Sequence, residues 1–447
     1  MAGLAALGVA LPGLARSAPD RKPNFIIIFT DDQGYQDLGC FGSPKIDTPQ
    51  IDKMAAEGMR FTSFYSVAAV CTPSRAGLLT GCYPPRVGNL PVLFPRNNKG
   101  LHPEETTIAE MLDKAGYATA CVGKWHLGHL PEFLPTSQGF DHYYGIPYSN
   151  DMSVDPNMEF AEDTKWREGA SRDDLKTRKN RVPLMRDRKV IEYPCDQTTL
   201  TRRYTHEALE FISRNKNKPF FLYLAHTMPH VPLFASPEFK GKSDRGLYGD
   251  VIEEIDWGTG RIIERLKELG IDDHTLVVYT SDNGPWLGKG KDGGSALPLR
   301  GGKFSTWEGG FREPTVMWWP GRIPSGAVCD EVAATIDLLP TLARLSGAGL
   351  PERAIDGKDI WPLMSGAKNA RSPHEAFCYF KGRSLGAIRS GKWKLREGKL
   401  YNLETDIGEK NDVAKEHPEV AGRLKKMMAE LHMEITGEAR PPGAAGK

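Results

Sequence analysis

Several things are missing from this chain, and each absence narrows what it can be. Its seven cysteines (Cys40, Cys71, Cys82, Cys121, Cys195, Cys329 and Cys378) form no CxxC pair and no Cys/His metal spacing, which sets aside a zinc module. Their odd number and wide scatter do not resemble a disulfide framework, so no bridge is assigned. A charge excess is also missing. With 58 basic and 57 acidic residues the net charge is +1, which gives no electrostatic footprint for nucleic acid or a membrane surface. Any anion must therefore be bound by local design. No run is long enough to cross a bilayer, and we expect no membrane span.

The first 18 residues, MAGLAALGVALPGLARSA, are small and apolar, with candidate cleavage positions near Ala15, Ser17 and Ala18. The stretch from Leu4 to Leu14 is too short for a span and fits the apolar region of a secretory signal, although a basic start is lacking. Residues 1–18 are read as a signal peptide and the protein as secreted or periplasmic.

At 447 residues the chain can bury a large core, and about 150 residues per domain gives two or three domains. Four apolar runs rich in β-branched and aromatic residues read as buried strands: FIIIFT (25–30), YATACV (117–122), FFLYLA (220–225) and TLVVYT (275–280). Helical patterns fall between them at 106–116, 202–215 and 255–270. Strands alternating with helices predict a mostly parallel α/β sheet. Each run is followed at once by a polar cluster: Asp31-Asp32, GKWHLG, HTMPHVP and SDNG. In parallel sheets ligands bind beyond the carboxyl ends of the strands, so these clusters are expected to converge on one site.

Asp31, Asp32, Asp282 and Asn283 offer hard oxygen ligands of the kind that suit Ca²⁺ or Mg²⁺ rather than zinc. Taken singly, Asp-Asp and Ser-Asp-Asn-Gly are also ordinary turn sequences. Arg75, Lys124 and Lys303 are candidate anion clamps, and His126 and His230 a candidate acid and base; alone, each would read as a solvated charge or a structural imidazole. The stretch CTPSRAGLLTG (71–81) places Cys71 at a helix start beside Arg75, where the field of a helix N-terminus predicts a thiol more acidic than a buried one. A metal, cations and two histidines around one nucleophile describe hydrolysis of an anionic ester.

These residues carry a family resemblance. CTPSR with LLTG, GYATACVGKWHLG, TSDNGPW and LRGGKFSTWEGGFREP together resemble the motifs of type I sulfatases, of the arylsulfatase A and N-acetylgalactosamine-6-sulfatase kind, over about residues 23–435. The resemblance implies an alkaline-phosphatase-like α/β fold at 22–366 and a small C-terminal α+β unit with an antiparallel sheet at 367–437. It implies that a maturation enzyme oxidises Cys71 to formylglycine, whose hydrate attacks sulfur. It also implies one Ca²⁺, with Mg²⁺ as the alternative, held by Asp31, Asp32, Asp282, Asn283 and residue 71. Lys124, Lys303 and Arg75 would stabilise charge, His230 would protonate the leaving alcohol, and His126 would take the proton from the second hydroxyl. The acid is expected at His230 rather than His226, because His230-Val231-Pro232 matches the family's histidine-any-proline pattern. The substrate implied is a sulfated saccharide or an aryl sulfate.

Residues 150–198, polar and dense in lysine and arginine, read as a solvated loop or as a rim holding an anionic saccharide. The rival readings are a phosphatase or phosphonate hydrolase of the same fold, which would show more histidine ligands or Ser/Thr at position 71, and a non-catalytic glycan-binding relative, which would lack motif residues.

Overall fold

The fold is built on strands buried on both faces. In a computed structural model, which describes residues 21–175 and 181–446, β1 (Asn24–Thr30) sends Phe25, Ile27 and Phe29 into one apolar layer and Ile26 and Ile28 into the other. That two-sided burial explains why the strand reads as an unbroken apolar run rather than an alternating one. The expected signal peptide at residues 1–18 lies outside the described residues.

The remaining strands of the main sheet are β2 (Met59–Tyr65), β3 (Ala118–Lys124), β4 (His142–Ile146), β5 (Phe160–Trp166), β6 (Leu184–Arg186), β7 (Lys189–Tyr193), β8 (Phe220–Ala225), β9 (Thr275–Ser281), β10 (Arg312–Trp318) and β11 (Ala327–Cys329). Their order is β11-β2-β10-β9-β1-β8-β3-β4-β6-β7-β5, with the two-residue strand Ala333–Ala334 paired to β2. The five central strands β9-β1-β8-β3-β4 are parallel, and antiparallel pairs enter on either side at β9–β10 and β4–β6. On one face pack α1 (Pro49–Glu57), α4 (Leu200–Asn215) and α5 (Leu247–Glu268), with Ile51, Phe211, Ile255 and Ile262 in the core. On the other lie α2 (Cys71–Thr80), α3 (Ile108–Lys114) and α6 (Leu338–Ser346), contributing Leu78, Leu79, Leu112 and Leu339. Thr107 opens α3 with a capping box: its hydroxyl accepts from Glu110 N at 3.1 Å while the Glu110 carboxylate accepts from Thr107 N at 2.8 Å.

The polar stretch 150–198 differs from the loop expected. It supplies β5, β6 and β7 at the sheet edge, where Phe160 and Trp166 stack at 5.3 Å. Several of its described cations are drawn into ion pairs: Arg167 with Asp196 at 3.0 Å, Arg186 with Glu207 at 2.8 Å and Lys189 with Glu159 at 2.9 Å. Past the main sheet, β12 (Phe377–Lys381), β13 (Ser384–Ser390), β14 (Trp393–Arg396) and β15 (Lys399–Asn402) form an antiparallel meander covered by α7 (Pro418–Gly437). Phe377, Tyr379 and Phe380 of β12 pack into a cluster with Tyr65, Tyr83 and Phe311, so the small sheet shares a core with the large one.

Candidate active site

The expected polar clusters do meet, at the carboxyl ends of the central parallel strands. Asp31 and Asp32 follow β1, Lys124 ends β3 with His126 just beyond, His226 and His230 follow β8, and Asp282 and Asn283 follow β9. All are buried. Gly123, before Lys124, is required there: its φ is +115°, and a Cβ would sit 1.8 Å from the Ala225 carbonyl oxygen. Asp32 and His126 also take positive φ, 64° and 61°. This backbone conformation costs on the order of 1–3 kcal/mol and persists where the surroundings over-determine it.

Cys71 begins α2, its neighbour Val70 being the extended N-cap residue. Its Sγ lies within 4.8 Å of carboxylate oxygens of Asp31 and Asp282. The thiol corrects one expectation. At 2 % exposure, burial outweighs the nearby Lys124 and Lys303, and its pKa is pushed up to about 11 rather than down. Arg75, one turn on, donates through Nη2 to Asp282 Oδ2 at 2.7 Å and through Nη1 to the Lys124 carbonyl at 3.1 Å. Lys124 Nζ bonds Asp31 Oδ2, and Lys303 Nζ donates to Asp32 Oδ2 at 2.7 Å.

Charge crowding is evident. Against the cost of burial, Lys124, then His230 and Arg75, hold the Asp31 carboxyl well below the usual range. Burial and then the Asp31 charge push Asp282 up to about 7. Two buried oxygens in this set, Asp31 Oδ1 and Asn283 Oδ1, have no hydrogen-bond partner. Orphaned hard oxygens among crowded carboxylates suit a divalent cation bound by oxygen, so the residues present fit one.

The histidines differ in their surroundings. His126 Nε2 faces the Leu93 carbonyl at 2.9 Å; a carbonyl only accepts, so this nitrogen carries the proton and Nδ1, buried without a partner, keeps its lone pair. Burial and then Lys124 pull His126 well down in pKa, which keeps it neutral. By the same reasoning the short contact of His230 Nδ1 to the Val231 carbonyl, 2.7 Å, puts a proton there and frees Nε2, which lies 3.6 Å from Asp32 Oδ2 and 3.4 Å from Ser149 Oγ. His226 touches none of these groups. Both its ring nitrogens are buried without partners, and burial pulls its pKa down to about 3.

Ser149 is the residue that sequence reasoning missed. Its hydroxyl sits 3.2 Å from Lys124 Nζ and 3.3 Å from His230 Nδ1, joining the two sides of the site. The signal was present, since HYYGIPYSN is a further apolar run with a polar cluster after it. The loop bearing Lys303 is gripped from the small sheet: Arg396 Nε donates to Thr306 Oγ1 at 2.9 Å, and Trp307 lies between the guanidinium groups of Arg300 (3.7 Å) and Arg396 (3.8 Å). Behind it, buried Glu308 accepts from Tyr65, Tyr379 and Lys394, and Lys394 also bridges to Glu409 at 2.9 Å.

A family model described as Sulfatase matches residues 23–348, and one described as N-sulphoglucosamine sulphohydrolase, C-terminal, matches residues 302–434. The chain belongs to the sulfatase family. Human arylsulfatase A is 42 % identical over 384 residues, 84 % of this chain and 74 % of that protein. Human N-acetylgalactosamine-6-sulfatase is 39 % identical over 86 % of this chain and 73 % of its own length, and mouse steryl-sulfatase 38 % over 86 % and 72 %. The solved structure of Ps i-CgsB in complex with k-i-k-neocarrahexaose superposes with a TM-score of 0.79 at 32 % identity, covering 95 % of each chain. The protein is thus an enzyme hydrolysing sulfate esters, on the fold of its relatives. No helix among the described residues is long and apolar enough to cross a membrane.

Proposed function

We propose that this sulfatase releases inorganic sulfate from sulfated saccharides or aryl sulfates through a formylglycine made from Cys71 by a maturation enzyme. The observation that carries the reading is the position of residue 71, at the head of α2 with its Sγ within 4.8 Å of carboxylate oxygens of Asp31 and Asp282, the two carboxylates that Lys124 and Arg75 also bind. A hydrated aldehyde there has two geminal hydroxyls, one to attack sulfur and one to drive release.

Asp31, Asp32, Asp282, Asn283 and residue 71 would hold one divalent cation, Ca²⁺ rather than Mg²⁺. When bound, it supplies positive charge to the sulfuryl oxygens and to the attacking hydroxyl. Lys124 and Lys303, already aimed at Asp31 and Asp32, neutralise the same oxygens, and Arg75 steadies Asp282 and the nucleophile. His230 keeps its Nδ1 proton on the Val231 carbonyl, takes up a second proton at Nε2, which the Asp32 and Asp31 charges favour against the cost of burial, and delivers that Nε2 proton to the departing alcohol oxygen. His126, with Nδ1 unpartnered, accepts the proton of the second hydroxyl of residue 71; its C–O bond to sulfate then breaks and the aldehyde returns. The apolar leader at 1–18 supports export.

The test is mass spectrometry of the peptide containing residue 71 beside turnover of 4-nitrophenyl sulfate. Formylglycine at 71 in active protein, and near-complete loss of turnover in Cys71→Ser, are expected. Full activity in Cys71→Ser overturns the mechanism.

A further inference from the structure

His126 can act as the base only if Nδ1 faces the second hydroxyl of residue 71 while Nε2 stays on the Leu93 carbonyl. Main-chain ties fix part of this. The Thr72 hydroxyl donates to the His126 carbonyl at 3.1 Å and accepts from Leu93 N at 3.2 Å, which joins the two segments. A single hydrogen bond at Nε2 still leaves the imidazole plane free to swing about it. An aromatic neighbour stops the swing: the Tyr148 ring stands at 87° to the imidazole, with ring centres 5.8 Å apart.

Tyr148 is held in its turn by two side chains that the chemistry does not use. It is buried with Leu90, Leu93 and Met152, an apolar setting in which its hydroxyl needs a partner. His129 supplies one, through a close contact of Nδ1 with the phenol oxygen. The other ring nitrogen, Nε2, lies 2.7 Å from Asp155 Oδ2, and Asp155 Oδ1 accepts from Asn157 N at 2.9 Å.

The protons follow from these partners. A carboxylate only accepts, so the His129 proton sits on Nε2, the lone pair is left at Nδ1, and the Tyr148 hydroxyl donates to it. Burial pulls His129 below its usual 6.5 although Asp155 opposes it, so the ring carries a single proton. Burial also pushes Tyr148 up, which keeps the phenol un-ionised and rules it out as a nucleophile. The row of three orients and does not react. If Asp155 gave no acceptor, His129 could carry its proton on Nδ1 instead, and the bond that fixes the Tyr148 ring would be lost.

We propose that Asp155, acting through His129, locks the Tyr148 ring against His126, and that these three are positioning residues for the step that frees sulfate from residue 71. The proposal rests on the active-site reading above, in particular on His126 as the base. In that step His126 Nδ1 takes the proton of the free hydroxyl, the O–H electron pair forms the carbonyl, and the C–O bond to sulfate breaks with its pair leaving on sulfate. Departure of the alcohol comes earlier and draws its proton from His230, so a misaimed His126 slows the second half of the cycle and spares the first.

The experiment uses the matured enzyme with 4-nitrophenyl sulfate, for wild type, Asp155→Ala, Asp155→Asn and His129→Ala, with His126→Ala as the reference. It reads stopped-flow release of 4-nitrophenol, the intact mass of protein quenched during turnover, and the melting temperature. Asp155→Ala and His129→Ala should lower steady turnover roughly 10-fold, a part of the about 10²–10⁴ that a general base supplies. First-turnover release should stay within about threefold of wild type, so that a burst of 4-nitrophenol precedes the slow phase and the quenched protein is one sulfuryl group heavier. Asp155→Asn, whose side-chain oxygen still accepts from His129 Nε2, should restore wild-type behaviour. Where His129→Ala does not fold, the part-exposed Asp155 carries the test through its two variants. Equal slowing of both phases, turnover in Asp155→Ala within about twofold of wild type, or a loss in Asp155→Asn as deep as in Asp155→Ala overturns the lock. His126→Ala should give the heavier protein in full; if it does not, although residue 71 is formylglycine, the reading of His126 as the base fails and the lock with it.

Discussion

Substituting each of the two histidines that follow β8 tests which of them gives the proton to the leaving alcohol. The perturbations are His230→Ala and His226→Leu. His230 lies in the polar cluster, with Nε2 3.6 Å from Asp32 Oδ2, and its Nδ1 proton is held on the Val231 carbonyl at 2.7 Å. Removing a general acid costs about 10²–10⁴ in rate, or about 2.7–5.4 kcal/mol of barrier at 1.36 kcal/mol per decade. The loss should be small for 4-nitrophenolate, which leaves without help, and should approach the upper end for an alkyl or sugar alcohol. His226 is different. Its two ring nitrogens are buried with no hydrogen-bond partner, and burial alone pulls its pKa down to about 3, with no carboxylate beside it to favour the imidazolium as Asp32 does for His230. An unsatisfied buried polar group costs about 1–3 kcal/mol, and replacing it with an apolar side chain of similar size removes that cost. His226→Leu should therefore keep kcat within a few-fold on both kinds of ester and leave the melting temperature unchanged or raised. The assay is kcat for each variant on one good and one poor leaving group. The reasoning is refuted if His226→Leu shows the loss that grows with leaving-group basicity while His230→Ala does not.

Three further outcomes are expected. Chelation should abolish turnover and lower the melting temperature, with Ca²⁺ restoring both; oxygen ligands at roughly 2.3–2.6 Å in a crystal of the restored enzyme would identify calcium, and a zinc ion held by nitrogen would contradict the donor set. Lys394→Met leaves the buried Glu308 and Glu409 carboxylates without their shared cation, and should cost about 3–5 kcal/mol in denaturant unfolding, whereas a change below about 1 kcal/mol would place the network among ordinary surface pairs. Despite partial burial, His142 is raised from 6.5 to about 9 by Asp187 and Glu207, the latter at 2.8 Å. A raised folded-state pKa gives stability that is complete below pH 6.5 and is lost as pH climbs through 9, so melting temperature should fall across that window in wild type and fall less in His142→Gln; identical slopes would exclude the pair as the cause.

The sequence alone determined the parallel core and the neighbourhood of the site. Strands buried on both faces must be continuously apolar, so FIIIFT, FFLYLA and TLVVYT mark β1, β8 and β9 to within a residue, and the polar residues next in the chain lie at the strand ends where a parallel sheet binds ligands. Motif chemistry is local in the same way, which is why CTPSR and GKWHLG could be read without neighbours. Only the tertiary structure decided what depends on burial and on partners far along the chain. The helix start at Cys71 predicts an acidic thiol, but packing removes water from the sulfur and desolvation outweighs the field of the nearby cations. His226 and His230 are four residues apart and equally polar in sequence; the path of the loop after β8 leaves one without partners and sets the other beside Asp32. Residues 150–198 carry the composition of a solvated loop, yet Arg167, Arg186 and Lys189 pair with Asp196, Glu207 and Glu159 once β5, β6 and β7 join the sheet edge. The bonds of Lys124 to Asp31, Lys303 to Asp32 and Arg75 to Asp282 join residues far apart in the chain, a juxtaposition that no local pattern encodes because it exists only when the sheet brings the strand ends together.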